Sequence, residues 1–243
     1  MWSQVMKSRR LFHSLTLILS MMMLVAGCST IPRDPEGTLK RVQSGRLRVG
    51  LVESPPWVVR TNGEPAGAEV ALVRQLAQEL NATPEWHWGG EQQHMEALEH
   101  YELDLVLAGL DTKTPWKKRV GVTSPYFEER VVVGIPSSAP QPKSLKGLTI
   151  AVKGGEATAS YLESKSAVPQ RVDDLSQVSG AVAAPIWELE KLGLTKTEFE
   201  LFTEQHVMAT PPGENGWLKR VDEFLHKQGS QTINLLQQES ARR

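Results

Sequence analysis

The chain has 243 residues, 27 Lys+Arg against 28 Asp+Glu, six His, one Cys and 40% hydrophobic residues. That length suffices for one or two domains with a real core, and a formal charge of −1 gives no general electrostatic case for nucleic-acid binding. A single cysteine excludes an intramolecular disulfide and any multi-cysteine zinc or iron–sulfur cluster.

The averages conceal two unlike segments. Residues 1–27 hold five of the seven Met and no Asp or Glu; without them 24 basic side chains face 28 acidic ones, a net −4. Lys7, Arg9 and Arg10 precede an apolar core at residues 15–26, which suits a signal-peptide h-region and is short for a membrane span. The run ends in Leu24-Val25-Ala26-Gly27-Cys28, which resembles the lipobox of bacterial lipoproteins. That resemblance implies cleavage before Cys28 and acylation of its thiol by a diacylglycerol carrying chains such as palmitate. The plain alternative is a buried cysteine. Ser29 is similar to the outer-membrane sorting pattern of Gram-negative lipoproteins. Ser8-Arg9-Arg10-Leu11-Phe12 also resembles a twin-arginine signal, although arginine pairs are common in basic n-regions. Met6 is a second candidate start.

Residues 28–37, with Pro32 and Pro35, read as a lipidated tether. Residues 38–44 suggest a short helix leading into the β-rich Leu47-Arg48-Val49-Gly50-Leu51-Val52, which Pro55-Pro56 ends. Asn62-Gly63 and Pro65-Ala66-Gly67 carry turn chemistry. Val70, Leu72, Val73, Leu76, Ala77 and Leu80 recur at helical spacing. Glu85-Trp86-His87-Trp88 alternates like a strand, residues 91–99 form a helix candidate, and residues 103–107 a buried strand. Strand, helix, strand, helix, strand predicts a parallel sheet with crossover helices. Val131-Val132-Val133-Gly134-Ile135, Leu148-Thr149-Ile150-Ala151-Val152 and Ala181-Val182-Ala183-Ala184 are further buried runs. Trp217, Val221, Phe224 and Leu225 make one apolar face of a C-terminal helix. Two α/β units predict a cleft between them.

The order and spacing of several segments resemble the family 3 solute-binding proteins of bacterial ABC importers, over about residues 39–228. Gly45-Arg46-Leu47-Arg48-Val49-Gly50 is similar to that family's opening strand and Pro55-Pro56-Trp57 to its ligand-facing loop. Gly67-Ala68-Glu69-Val70, Leu103-Asp104-Leu105-Val106-Leu107-Ala108-Gly109-Leu110, Thr123-Ser124-Pro125-Tyr126 and Leu145-Lys146-Gly147 follow in the family's order. The resemblance implies an α/β fold of the type II periplasmic binding-protein kind, two lobes around a hinge. Lobe 1 would span residues 38–135 and lobe 2 residues 136–205. Residues 206–243 would be the return crossing and the C-terminal helix on lobe 1. Lobe 2 is reduced, with only about sixty residues between Leu145 and the return at His206.

The same resemblance marks candidate ligand residues. Trp57 either stacks on a ligand or packs on the proline pair. Asp111 and Thr112 close a strand end; the carboxylate favours a cation or simply makes an Asx turn. The segment from Thr114 departs from the family's Thr-x-Glu-Arg, placing Lys117, or with the other count Trp116, where a bidentate Arg clamps a ligand carboxylate. Gly154 and Gly155 precede a helix start and offer amides to an anion. Glu188 falls where the family binds a ligand ammonium, and equally suits a solvated helix face. His87, His94 and His100 are close in sequence, but strand and helix geometry scatters them, so no metal site is expected.

No nucleophile elbow, P-loop or metalloprotease motif is present, so no enzymatic activity is expected. The resulting expectation is a monomeric, lipid-anchored protein on the periplasmic face that captures a small polar solute, an amino acid or related compound, for an ABC permease. It needs no cofactor, metal or nucleic acid. The alternative is a non-transport envelope lipoprotein using a reduced binding-protein scaffold for regulation or partner binding.

Overall fold

The computed structural model describes residues 33–154 and 156–241. The expected signal segment, Cys28 and Ser29 lie outside the described residues. No described helix is long and apolar enough to cross a membrane.

Lobe 1 begins with α1 (Thr38–Val42), β1 (Arg46–Leu51) and a small hairpin, β2 (Val59–Thr61) with β3 (Glu64–Ala66). It continues through α2 (Ala68–Glu79), β4 (Thr83–Trp88), α3 (Glu91–Glu99), β5 (Leu105–Leu107) and β6 (Gly121–Val122). Strand β1 runs parallel to both β4 and β5, as the alternating strand and helix patterns predict. Apolar side chains of α2 (Val70, Leu72, Val73, Leu76, Ala77) bury against Leu47, Val49 and Leu51 of β1. Burial of that face, rather than intrinsic propensity, holds the helix in place.

Lobe 2 is built from β7 (Phe127–Pro136), β8 (Thr149–Lys153), α4 (Glu156–Ser164), β9 (Val168–Val172), β10 (Ala181–Pro185), α5 (Ile186–Lys191) and β11 (Leu194–His206). Its strand order is β11-β7-β10-β8-β9, with β8 parallel to β9 and β10. The chain then returns through β12 (Ala209–Thr210), which joins β5 and β6 in the first sheet. Helices α6 (Asn215–Leu225) and α7 (Gly229–Ala241) follow.

The crossing between lobes is a pair of long antiparallel strands. Strand β7 leaves lobe 1 and β11 comes back beside it, from Leu194 opposite Pro136 to His206 opposite Phe127. The expected lobe boundary after residue 135 therefore falls within β7. Residues 131–134 of that strand already pair with β10 in the second sheet, so the crossing lies nearer Phe127–Arg130. Likewise β11 begins well before the expected return at His206.

Two further expectations change. The tether is not loose along its whole length: Asp34 accepts the amides of Leu39 and Trp217, both at 2.9 Å. Glu214 in turn accepts the amides of Glu36 and Thr38, each at 2.8 Å. These carboxylates satisfy donors that helix N-termini leave unpaired, so residues 33–37 are part of the body. The second change is α7, which follows the expected C-terminal helix and packs on both α2 of lobe 1 and α5 of lobe 2.

A buried carboxylate anchors lobe 1. Asp104, 0% exposed, accepts the Arg48 amide at 2.8 Å and pairs with the guanidinium groups of Arg48 at 2.7 Å and Arg41 at 2.8 Å. Its carbonyl accepts the Trp217 indole N–H at 2.7 Å. One residue thus ties α1, β1 and α6 to the strand end before β5.

Candidate functional site

Where β7 and β11 cross, a row of acidic side chains runs from lobe 1 to lobe 2. On lobe 1, Asp111 bridges to His206, and the Thr112 amide donates to the Gln205 carbonyl at 3.0 Å. Both residues therefore sit against the end of β11. Glu204 of β11 lies within electrostatic range of Asp111, Lys113, Glu129 and His206. Glu188, in the first turn of α5, lies within range of Glu129, Asp174, Lys153 and Lys191. Glu204 thus lies within range of Asp111 and Glu129, and Glu129 within range of Glu188.

The environment shifts Glu188 and Glu204. Burial pushes the Glu188 carboxyl above the ordinary carboxylate range, Lys153 and Lys191 oppose it, and Glu129 and Asp174 add to it. Burial likewise raises Glu204, with Glu129 and Asp111 reinforcing the shift and His206 and Lys113 opposing it. A half-buried acid next to other acids is a receptive environment for a cationic group.

Beneath this row lies an aromatic floor. The Trp57 ring stacks on His206 at 3.9 Å between centroids and tilts against Phe127 at 5.6 Å. Trp57 is only 5% exposed, so one face of its indole is taken by the chain's own imidazole. Trp187 of lobe 2 is buried in the same cluster and donates its indole N–H to Glu129 at 2.8 Å. Glu69, fully buried at the start of α2, accepts the Gly109 amide at 3.1 Å and the Tyr126 hydroxyl at 2.8 Å. Burial raises the Glu69 carboxyl and raises Tyr126 well above the phenol range.

Trp57, Asp111 and Thr112 all sit against the end of β11, whereas Glu188 stands on lobe 2 within range of Glu129. Asp111 also accepts the Lys113 amide at 2.8 Å, the Asx turn that its sequence allowed. Lys117 is exposed on a 3-10 turn and its ammonium donates to the Thr112 carbonyl at 3.4 Å. Trp116, the other candidate for the clamp position, donates to Glu91 at 2.6 Å and packs beneath Arg119. Gly154 is exposed and takes a left-handed φ of 61° after β8; Gly155 lies outside the described residues.

Sequence reasoning missed Glu129, Glu204, His206 and Trp187. Their available signal was the period-two spacing of Glu204 and His206, which places both on one strand face. His87, His94 and His100 all line a groove of about 780 Å³ at the outer edge of lobe 1. Among the described residues, the convergent group of three ligand atoms lies instead at Glu129, Glu204 and His206.

A two-lobed α/β fold with a double-strand hinge and a polar junction defines a class: hinged receptors that close on a small ligand. The chain matches the model of the bacterial extracellular solute-binding proteins, family 3, over residues 47–239, and it belongs to that family. Solved structures agree on the fold. An ancestral cationic amino-acid solute-binding protein shares 20% identity with a TM-score of 0.66, covering 84% of this chain and 97% of its own. The L-cystine solute receptor of Neisseria gonorrhoeae, unliganded and open, shares 16% identity at a TM-score of 0.64, covering 84% and 95%. Substrate-binding domain 2 of Lactococcus lactis GlnP, also open, shares 16% at 0.62, covering 79% and 95%. No curated protein sequence matches the chain.

Proposed function

We propose that this solute-binding protein captures a small polar solute with a cationic group, an amino acid or related compound, between its lobes for an ABC importer. The observation that carries the reading is Glu188: it is half-buried at the junction, with Lys153 and Lys191 as well as Glu129 and Asp174 within range, and burial still holds its carboxyl above the ordinary range. Glu188 and Asp111 attract the cationic group, Thr112 offers a hydroxyl, and the Gly154 and Gly155 amides with Lys117 take an anionic one. Capture is binding without turnover, by a monomer. Cleavage before Cys28 and acylation of its thiol hold the body at the periplasmic face; in a Gram-negative cell Ser29 favours the outer membrane, away from an inner-membrane importer, and so speaks for the second reading below. The structural neighbour named for cationic amino acids lends the solute class support by analogy.

A further observation favours the second reading, an envelope lipoprotein that uses this scaffold for regulation or partner binding. The face Trp57 would offer a ligand is stacked on His206, and no Arg clamp occupies the segment after Thr114. A thermal-shift screen with amino acids, polyamines and short peptides separates the two. The transport reading expects an upward shift with cationic solutes that Glu188→Gln abolishes. A flat response across the panel sinks that reading and leaves the partner-binding one.

A further inference from the structure

The hinge strands hold an arrangement that solute capture does not explain. In the β7–β11 register Glu204 stands directly opposite Glu129. Like charges directly opposed across a strand pair destabilise it. Two residues along β11, on the same face, is His206, 2% exposed, with no hydrogen-bond partner at either ring nitrogen. A buried polar atom left unpaired forfeits its hydration with no bond in return. The imidazole Nε2 lies 3.7 Å from the nearer Glu129 oxygen, beyond hydrogen-bonding distance.

These three side chains each offer one ligand atom, and the three atoms lie within 4.8 Å of one another. A zinc-like ion with bonds of about 2.0–2.2 Å holds its donors roughly 3 to 3.5 Å apart. A small contraction therefore converts the cluster into a coordination site. The Trp187 indole already fixes the other Glu129 oxygen at 2.8 Å, the kind of outer hydrogen bond that aims a metal-ligating carboxylate. Stacking with Trp57 fixes the plane of the imidazole.

We propose that Glu129, Glu204 and His206 form a three-ligand site for a divalent transition-metal ion of the Zn²⁺ or Mn²⁺ kind. One imidazole and two carboxylates suit such ions better than the all-oxygen preference of Ca²⁺ or Mg²⁺. The ion offsets the opposed carboxylates and gives the buried imidazole its missing partner. It joins two strands that both cross between lobes, so occupancy stiffens the hinge. This site departs from the expectation of no metal, which considered only His87, His94 and His100.

The test uses the full chain, stripped with EDTA and free of solute, so its result stands apart from solute capture. Thermal midpoints are measured with Zn²⁺, Mn²⁺, Mg²⁺ and Ca²⁺, and visible absorption with Co²⁺. The site predicts midpoint rises with Zn²⁺ and Mn²⁺, little change with Mg²⁺ or Ca²⁺, and Co²⁺ bands of nitrogen–oxygen ligation. Even outer partners of a metal site are worth about tenfold in affinity, so Glu204→Gln should weaken Zn²⁺ by at least that, and His206→Gln should abolish the Co²⁺ bands. The double variant His87→Gln/His100→Gln should respond like the wild type. Glu204 is half-buried and Glu204→Gln leaves the Trp57 stack in place, so this variant reads binding rather than folding. Absence of any Zn²⁺ or Co²⁺ response in the wild type overturns the proposal, as does a response unchanged by Glu204→Gln.

Discussion

Asp104 is fully buried and the junction acids are buried or half-buried, yet they are built in opposite ways. Asp104 is saturated: two guanidinium groups and a backbone amide reach its carboxylate. At the junction, Glu204 faces Glu129 across the strand pair, and Glu188 lies within range of both Glu129 and Asp174. Burial alone therefore does not mark a functional carboxylate. What separates the two regions is how the chain meets the charge: by direct ion pairs at Asp104, and at Glu188 by Lys153 and Lys191 within range but set against Glu129 and Asp174. Asp104 ties α1, β1 and α6 together in lobe 1, and in the proposed function the junction acids meet the cationic group of the solute.

That contrast fails if the two sets of acids respond alike to neutralisation. The largest effect is expected at Asp104→Ala, which takes the shared carboxylate from Arg41 and Arg48 and leaves a buried hole. Removing one partner of a buried ion pair typically costs about 3–5 kcal/mol; because both arginines keep access to water, urea melts should show a loss at or below the lower end of that range. Asp34→Ala, removing another saturated acid, strips the acceptor from the Leu39 and Trp217 amides and should cost about 1–2 kcal/mol. Glu188→Gln should change stability at neutral pH by no more than about 0.5 kcal/mol, or raise it.

The pH profile sharpens the same point. Because burial raises Glu188 in the folded chain, the fold favours its neutral form. Its stabilising contribution is fully present below the ordinary carboxylate pKa and is lost as pH rises through the raised value. Thermal midpoints of wild type and Glu188→Gln should therefore diverge as pH increases through that window, with the variant gaining. Affinity for a cationic solute runs the other way and should fall as Glu188 takes up its proton on acidification. The smallest effect is expected at Lys117→Ala: stability within about 0.5 kcal/mol of wild type, so any change in solute capture reports contact with the ligand.

The fold was legible where one element carries its own periodicity. The apolar positions of α2, the alternation of β4 and the buried run of β5 each announce themselves within a dozen residues. Strand β11 does not, because Leu-Thr-Lys-Thr-Glu-Phe-Glu-Leu-Phe-Thr-Glu-Gln-His is charged and half-exposed on a strand that borders solvent. The same applies to the site. Asp111 and Glu188 were found from family-like spacing, whereas Glu129 meets Glu204 only through the register of two strands far apart in sequence. Asp34 read as linker because its second partner, the Trp217 amide, lies 183 residues along the chain. Cross-chain pairing of this kind has no local signature.

Calorimetric titration of the full chain with arginine, beside Glu188→Gln, tests the central claim most directly. The account predicts saturable binding to the wild type that is lost in the variant, with the variant's thermal midpoint at neutral pH no lower than wild type. Absence of binding to the wild type, or equal binding by both chains, would contradict it.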